Sequence, residues 1–256
     1  MLVMVLSGLL LLVGIVSVVV WGDATVRPPE FDDAAGPDSA ALAARRYIWY
    51  VAVAVVSGVA AGLLVVGAGG RLNMRLLAAT AGEAAQGKVT EADEIVGRIT
   101  TSGTLNFIVV DAVIFSLPTG VLYVLVRRWL PGGRLGGLAY GALLFVVGAT
   151  RAEPLRADNP DFDIVGPGWV AAIAFGTLVL LHGMLVAALA ARYSRALPVV
   201  SSQRSLLAYA PLLFSVPVFP AYASSQSSAA RPLRSGAASS QWLNSCDLAR
   251  PLSAVG

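Results

Sequence analysis

The chain holds one cysteine, Cys246, one histidine, His182, and one lysine, Lys88. Each scarcity removes a class of chemistry. A lone cysteine allows no internal disulfide and no thiolate metal cage. A lone histidine cannot form a bis-histidine haem site within one subunit. Any Ser–His scheme would have to recruit His182 itself. No G-x-S-x-G, P-loop, H-E-x-x-H or paired-cysteine pattern occurs. The sequence therefore reads as non-enzymatic, and it calls for no cofactor.

Charge is scarce as well. Charged residues make up 13% of the chain, against about 25% in ordinary soluble domains. The pI of 9.3 reflects few ionisable groups of either sign. The arginines stand at the ends of apolar runs, which is a membrane pattern and not a nucleic-acid signal.

Apolar residues are abundant: 57% of 256 residues are hydrophobic, and the mean hydropathy is +0.75. They are gathered into runs long enough to cross a bilayer. The expected fold class is all-α, a polytopic transmembrane helix bundle of about six spans, with five as the alternative. The spans are expected near 2–21, 47–68, 104–126, 135–150, 169–191 and 206–222. A Ser- and Ala-rich tail, 223–256, is expected to be disordered.

Leu2–Trp21 has no preceding Lys or Arg, and Val18-Val19-Val20-Trp21 is a poor cleavage site, so it reads as a retained span. Gly22–Ala44 is an acidic, proline-punctuated connector. Tyr47, Trp49 and Tyr50 stand at the entry to the second span, where amphipathic rings favour the headgroup level. Gly67, Gly69 and Gly70 are expected to end that span. Arg71–Leu77 is then expected to lie along the interface. In the third span Pro118 cannot donate to the Ile114 carbonyl, which predicts a kink or a local rearrangement. The stretch 206–222 carries three prolines, so a bent span and a re-entrant segment both stay open.

Small residues recur at four-residue spacing. Gly58 and Gly62 follow Ala54; Gly137 and Gly141 follow Gly133; Gly183 precedes Ala187 and Ala191. Such strips let helices approach closely, and their number suggests a partner beyond the bundle itself.

Two polar residues fall inside apolar runs. Asp111 shares a helical face with Phe115, Pro118 and Leu122. A carboxylate at depth costs roughly 2.5–3.5 kcal/mol on insertion scales, so such groups tend to face the protein interior. Three readings stay open: proton or cation coupling, a hydrogen-bonded structural carboxyl, or a half-wet group near the outer surface. His182 reads first as a side chain bonded across helices. By helical rise Asp111 lies about 10 Å and His182 about 20 Å below the outer end, so direct contact between them is not expected. Asp158, Asp161 and Asp163 are candidate metal ligands in a short acidic loop. The spacing of a calcium loop is missing, and a polar turn capping two spans is the expected reading.

Arginine placement sets orientation. Arg127, Arg128 and Arg134, and then Arg192, Arg195 and Arg204, stand in connectors free of acids. They place those connectors, including the Arg127–Gly133 loop, in the cytoplasm and the N-terminus outside. The expected partners are the lipid bilayer and other membrane subunits, with no nucleic acid.

At Gly97–Asn106, Leu122–Pro131 and Asp158–Phe162 the chain resembles a family of uncharacterised multi-pass membrane proteins of high-GC Gram-positive bacteria. The likeness covers roughly residues 45–200 and implies a bacterial plasma-membrane location without an assigned activity. Such proteins usually finish in an apolar segment and a short end, and Ser224–Gly256 departs from that.

The two readings of role are an accessory or structural subunit of a membrane assembly and, as the alternative, a small carrier or ion-coupled transporter using Asp111.

Overall fold

The structure is a computed structural model of the full chain. It describes residues 2–29, 40–90, 95–98, 104, 112–148, 164 and 168–198. Asp111, the Asp158–Asp163 loop, the stretch 206–222 and the tail 223–256 lie outside the described residues.

Among the described residues the fold is helical, with one isolated bridge, Val89 to Ile95, in a connector. In chain order the helices are α1 (Leu2–Trp21), α2 (Ala40–Ala61), α3 (Ala68–Thr80), α4 (Ser116–Val126), α5 (Gly133–Gly148) and α6 (Gly168–Ala196). A π-helical segment, Gly62–Gly67, joins α2 to α3 without a break. Among the described residues, four helical stretches are long and apolar enough to cross a membrane: Leu2–Trp21, Leu42–Thr80, Ala112–Trp129 and Gly168–Ala196. At 16 residues α5 is about 24 Å long, short of a bilayer core of about 30 Å.

The second long helix differs from the sequence expectation. Its glycines do not end it. Gly67 keeps helical dihedrals, φ −63° and ψ −56°. A side chain at Gly69 would meet Leu178 and Leu11, so that glycine admits neighbouring helices and is no terminator. The stretch 71–77 accordingly continues the helix, and α3 packs on α1 and α6 instead of lying apart. The true stop comes at Gly82, whose φ of +73° is a left-handed conformation that glycine adopts at no steric cost.

Around Pro118 the backbone rearranges locally, the second of the two expected forms. The irregular backbone lies just before it, as π-type turns at 112–114 and a turn at Phe115, and a regular helix starts at Ser116. The proline therefore stands in a first turn, where its missing N–H costs least.

Helix α6 is the axis. From Leu185 to Ala191 every residue is buried, and alanines at 187, 188, 190 and 191 keep the girth small. Helix α5 packs along α6, α4 along α2, and α2 and α1 also reach α6. One core cluster joins Val18, Ala61, Val65, Tyr140, Leu185, Val186 and Leu189. A second joins Trp49, Val53 and Ala190.

Side-chain contacts show which helix ends meet. Arg134 at the start of α5 pairs with Asp23 just after α1, at 3.1 Å. Arg127 after α4 donates to the Tyr50 hydroxyl near the start of α2, at 3.1 Å. Trp49 Nε1 donates to the Leu197 carbonyl beyond α6, at 3.2 Å. The helices thus alternate in direction. One end of the bundle collects Arg27, Arg45, Arg46, Arg127, Arg128, Arg134, Arg192 and Arg195.

Candidate functional site: a polar centre on Thr119

Three helices meet at Thr119 of α4. Its hydroxyl lies 2.9 Å from Nε2 of His182 on α6 and 2.7 Å from the Ser116 carbonyl. Its own carbonyl accepts from the Tyr140 hydroxyl of α5. The Tyr140 ring meets Tyr123 edge to face, with centroids 5.2 Å apart. Such a pair gains from the opposed charge of ring edge and face.

The local sequence explains the approach of the helices. Gly120 and Ser116 face Gly58 on α2 and Gly62 at the start of the π segment. A Cβ on Gly58 would stand 2.6 Å from the Ser116 carbonyl, and one on Gly62 would collide with the Ala112 carbonyl and the Ser116 side chain. On the other side a Cβ on Gly141 would stand 2.7 Å from the Leu180 carbonyl, and one on Gly137 would stand 2.9 Å from the Met184 Cα. Gly183 lies against the Gly141 backbone. The small-residue strips are therefore occupied inside the chain, and they carry no argument for an external partner.

His182 is 4% exposed and Ser116 1% exposed. The Ser116 hydroxyl and His182 Nδ1 have no hydrogen-bond partner in proper geometry. Ala61, the last α-helical residue before the π segment, lies near the imidazole. A π-helical turn shifts pairing from i+4 to i+5 and leaves carbonyls less tightly engaged. Ser57, by contrast, is satisfied locally through the Val53 carbonyl, at 2.7 Å.

Proton placement at His182 has two consistent forms. With the proton on Nε2, the ring donates to Thr119, Thr119 donates to the Ser116 carbonyl, and Nδ1 is bare. With the proton on Nδ1, Thr119 donates to Nε2. The two differ in the imidazole tautomer and in the direction of the Thr119 hydroxyl.

Sequence reasoning singled out His182 and its bond across helices. It passed over Thr119 and Tyr140. Tyr140 carried a usable signal, since a tyrosine within an apolar helix needs a partner for its hydroxyl. Among the described residues no three His, Cys, Asp or Glu side chains gather around one point.

Fold and centre together define the class: a helical bundle, with four helices among the described residues long and apolar enough to cross a membrane, tied by a polar cluster on Thr119. No family model, no curated protein and no solved structure matches the chain.

Proposed function

We propose that this chain is a non-enzymatic integral membrane protein that serves as an accessory or structural subunit of a membrane assembly. The observation that supports this most is the use of Thr119. Thr119, the Tyr140 hydroxyl and Nε2 of His182 are spent on joining α4, α5 and α6, so this part of the interior is a tie and the protein acts through its surface. That surface is broad and apolar, with Val146 71%, Trp169 66% and Ile173 62% exposed. From Trp49 to Arg71 the second long helix covers about 33 Å, which matches one hydrocarbon core. The arginine-rich end is read as cytoplasmic. A six-span count requires 206–222 to cross and α5 to be completed beyond Gly148. The resemblance to multi-pass membrane proteins of high-GC Gram-positive bacteria supports a bacterial plasma membrane.

A second reading has its own support. Ser116 and His182 each keep one buried polar atom unpartnered, beside π-type backbone on two facing helices. Asp111 precedes Ala112 in sequence. These features suit a small ion-coupled carrier, in which irregular backbone and hydroxyls meet a cation near mid-membrane.

One experiment separates the readings. Asp111→Asn and Ser116→Ala variants are reconstituted in proteoliposomes and, in parallel, recovered from native membranes with their partners. The subunit reading expects a stoichiometric complex retained in both variants and no ion flux in wild type. Ion flux abolished by Asp111→Asn would replace it with the carrier. A lone protein without flux would count against both.

A further inference from the structure

The basic end contains, at the end of α6, exposed arginines that pair with no carboxylate among the described residues. Arg192 and Arg195 lie in its last turns. The chain after α1 folds back across this end. Val26 packs on Trp49, Val53 and Ala190, and the Arg27 backbone N–H donates to Ser194 Oγ at 3.1 Å. Arg27 is thereby held beside the residue that precedes Arg195. Arg192 lies over the Trp21 ring, 5.6 Å from its centroid, which ties the end of α6 to the end of α1. All three arginines are exposed, and none pairs with a carboxylate among the described residues. Asp23, the described acid at this end, is taken up by Arg134.

We propose that Arg27, Arg192 and Arg195, with Trp21, form a binding site for the phosphate of an anionic phospholipid. Guanidinium groups match phosphate oxygens in paired hydrogen bonds. The carboxyl end of a helix favours cations at that position, so the arginines are stabilised there before any lipid arrives. Immediately along α1 from Trp21, Val20 is 62% and Val19 59% exposed. That apolar wall can take acyl chain, and an indole suits the headgroup level. A free anion or an acidic protein segment would gain nothing from the wall, which is why a lipid is the occupant. Cations beside an anionic leaflet strengthen binding by about fivefold each. The inference presupposes the membrane location proposed above but not the subunit role.

The test uses the full chain, delipidated in neutral detergent, with phosphatidylglycerol and phosphatidylcholine of matched chains titrated and counted by native mass spectrometry. Wild type is expected to bind one phosphatidylglycerol at least tenfold more tightly than phosphatidylcholine. The triple variant R27Q/R192Q/R195Q should lose that preference, whereas R45Q/R128Q, with two exposed arginines of the same end removed, should keep it within about twofold. If the triple variant does not fold, R27Q and R195Q singly should each weaken phosphatidylglycerol binding by about fivefold. Equal binding of both lipids by wild type would overturn the site while leaving the membrane reading intact. An equal loss in R45Q/R128Q would reduce it to diffuse attraction and overturn it. Displacement of phosphatidylglycerol by millimolar inorganic phosphate would assign the arginines to a free anion and overturn it too.

Discussion

The imidazole of His182 and the hydroxyl of Thr119 meet at 2.9 Å across the contact between α6 and α4. Two apolar helices are thereby joined by polar atoms that have no water to turn to. Thr119→Val keeps the shape and removes the hydroxyl. It leaves His182 Nε2 without a partner, in addition to Nδ1. Interhelical hydrogen bonds in membranes average about 0.6 kcal/mol with a maximum near 1.7. Because this change orphans a buried group, the upper end applies, about 1–2 kcal/mol. Thr119→Ser should retain most of the stability. Reversible unfolding in mixed micelles reads the difference, and equal losses for Val and Ser would show that the hydroxyl is not the tie.

Tyr140 bonds the same residue from the other side, through the Thr119 carbonyl. Tyr140→Phe removes only the hydroxyl and preserves the edge-to-face packing on Tyr123. The expected cost is about 0.5–1.5 kcal/mol. Since both bonds position Thr119, Thr119→Val and Tyr140→Phe should be non-additive in a double-mutant cycle. Strict additivity would mean that the two contacts are independent and that Thr119 is no hub.

Gly141 tests the second seam. A Cβ there would approach the Leu180 carbonyl at 2.7 Å and its Cα at 2.8 Å. Both are backbone atoms, so the helices themselves must part. Gly141→Ala should destabilise the bundle by about 1–3 kcal/mol. Gly148→Ala is the control, because nothing stands within 4 Å of its Cβ position. A neutral Gly141→Ala would show that α5 and α6 are farther apart than described.

These residues also show what could be read without coordinates. The long apolar runs declare helices because lipid-facing backbone must satisfy its own hydrogen bonds. Four-residue glycine spacing marks close approach at Gly58, Gly62, Gly137 and Gly141, yet spacing alone does not say whose helix approaches. The answer lay in Ser116, Gly120, Leu180 and Met184, far along the chain. Gly67, Gly69 and Gly70 misled for a related reason. Glycine both ends helices and lets them pack, and only the neighbouring Leu178 and Leu11 decide between the two. His182 was visible as a polar group at depth. Thr119 was not, because threonine can bond its own helix's carbonyls and so carries no sequence demand for a partner.

Orientation can be checked on two loop positions that the bundle places at opposite ends. Gly132 lies beside Arg134 in the basic end and has open space around its Cβ position. Glu83 is exposed beyond α3. With Cys246 replaced by serine, Gly132→Cys and Glu83→Cys give single labelling sites. Arginine bias predicts that the cysteine at 83 reacts with an impermeant maleimide on intact cells and that the one at 132 reacts only after permeabilisation. The reversed pattern would turn the protein over in the membrane while leaving the bundle intact. Reaction of both from the same side would contradict the bundle itself, because α2, the π segment and α3 form one uninterrupted helical stretch over Leu42–Thr80, 39 residues in all, or about 58 Å. A rod of that length, roughly twice the hydrocarbon thickness of about 30 Å, cannot begin beside Arg127 and end on the same face.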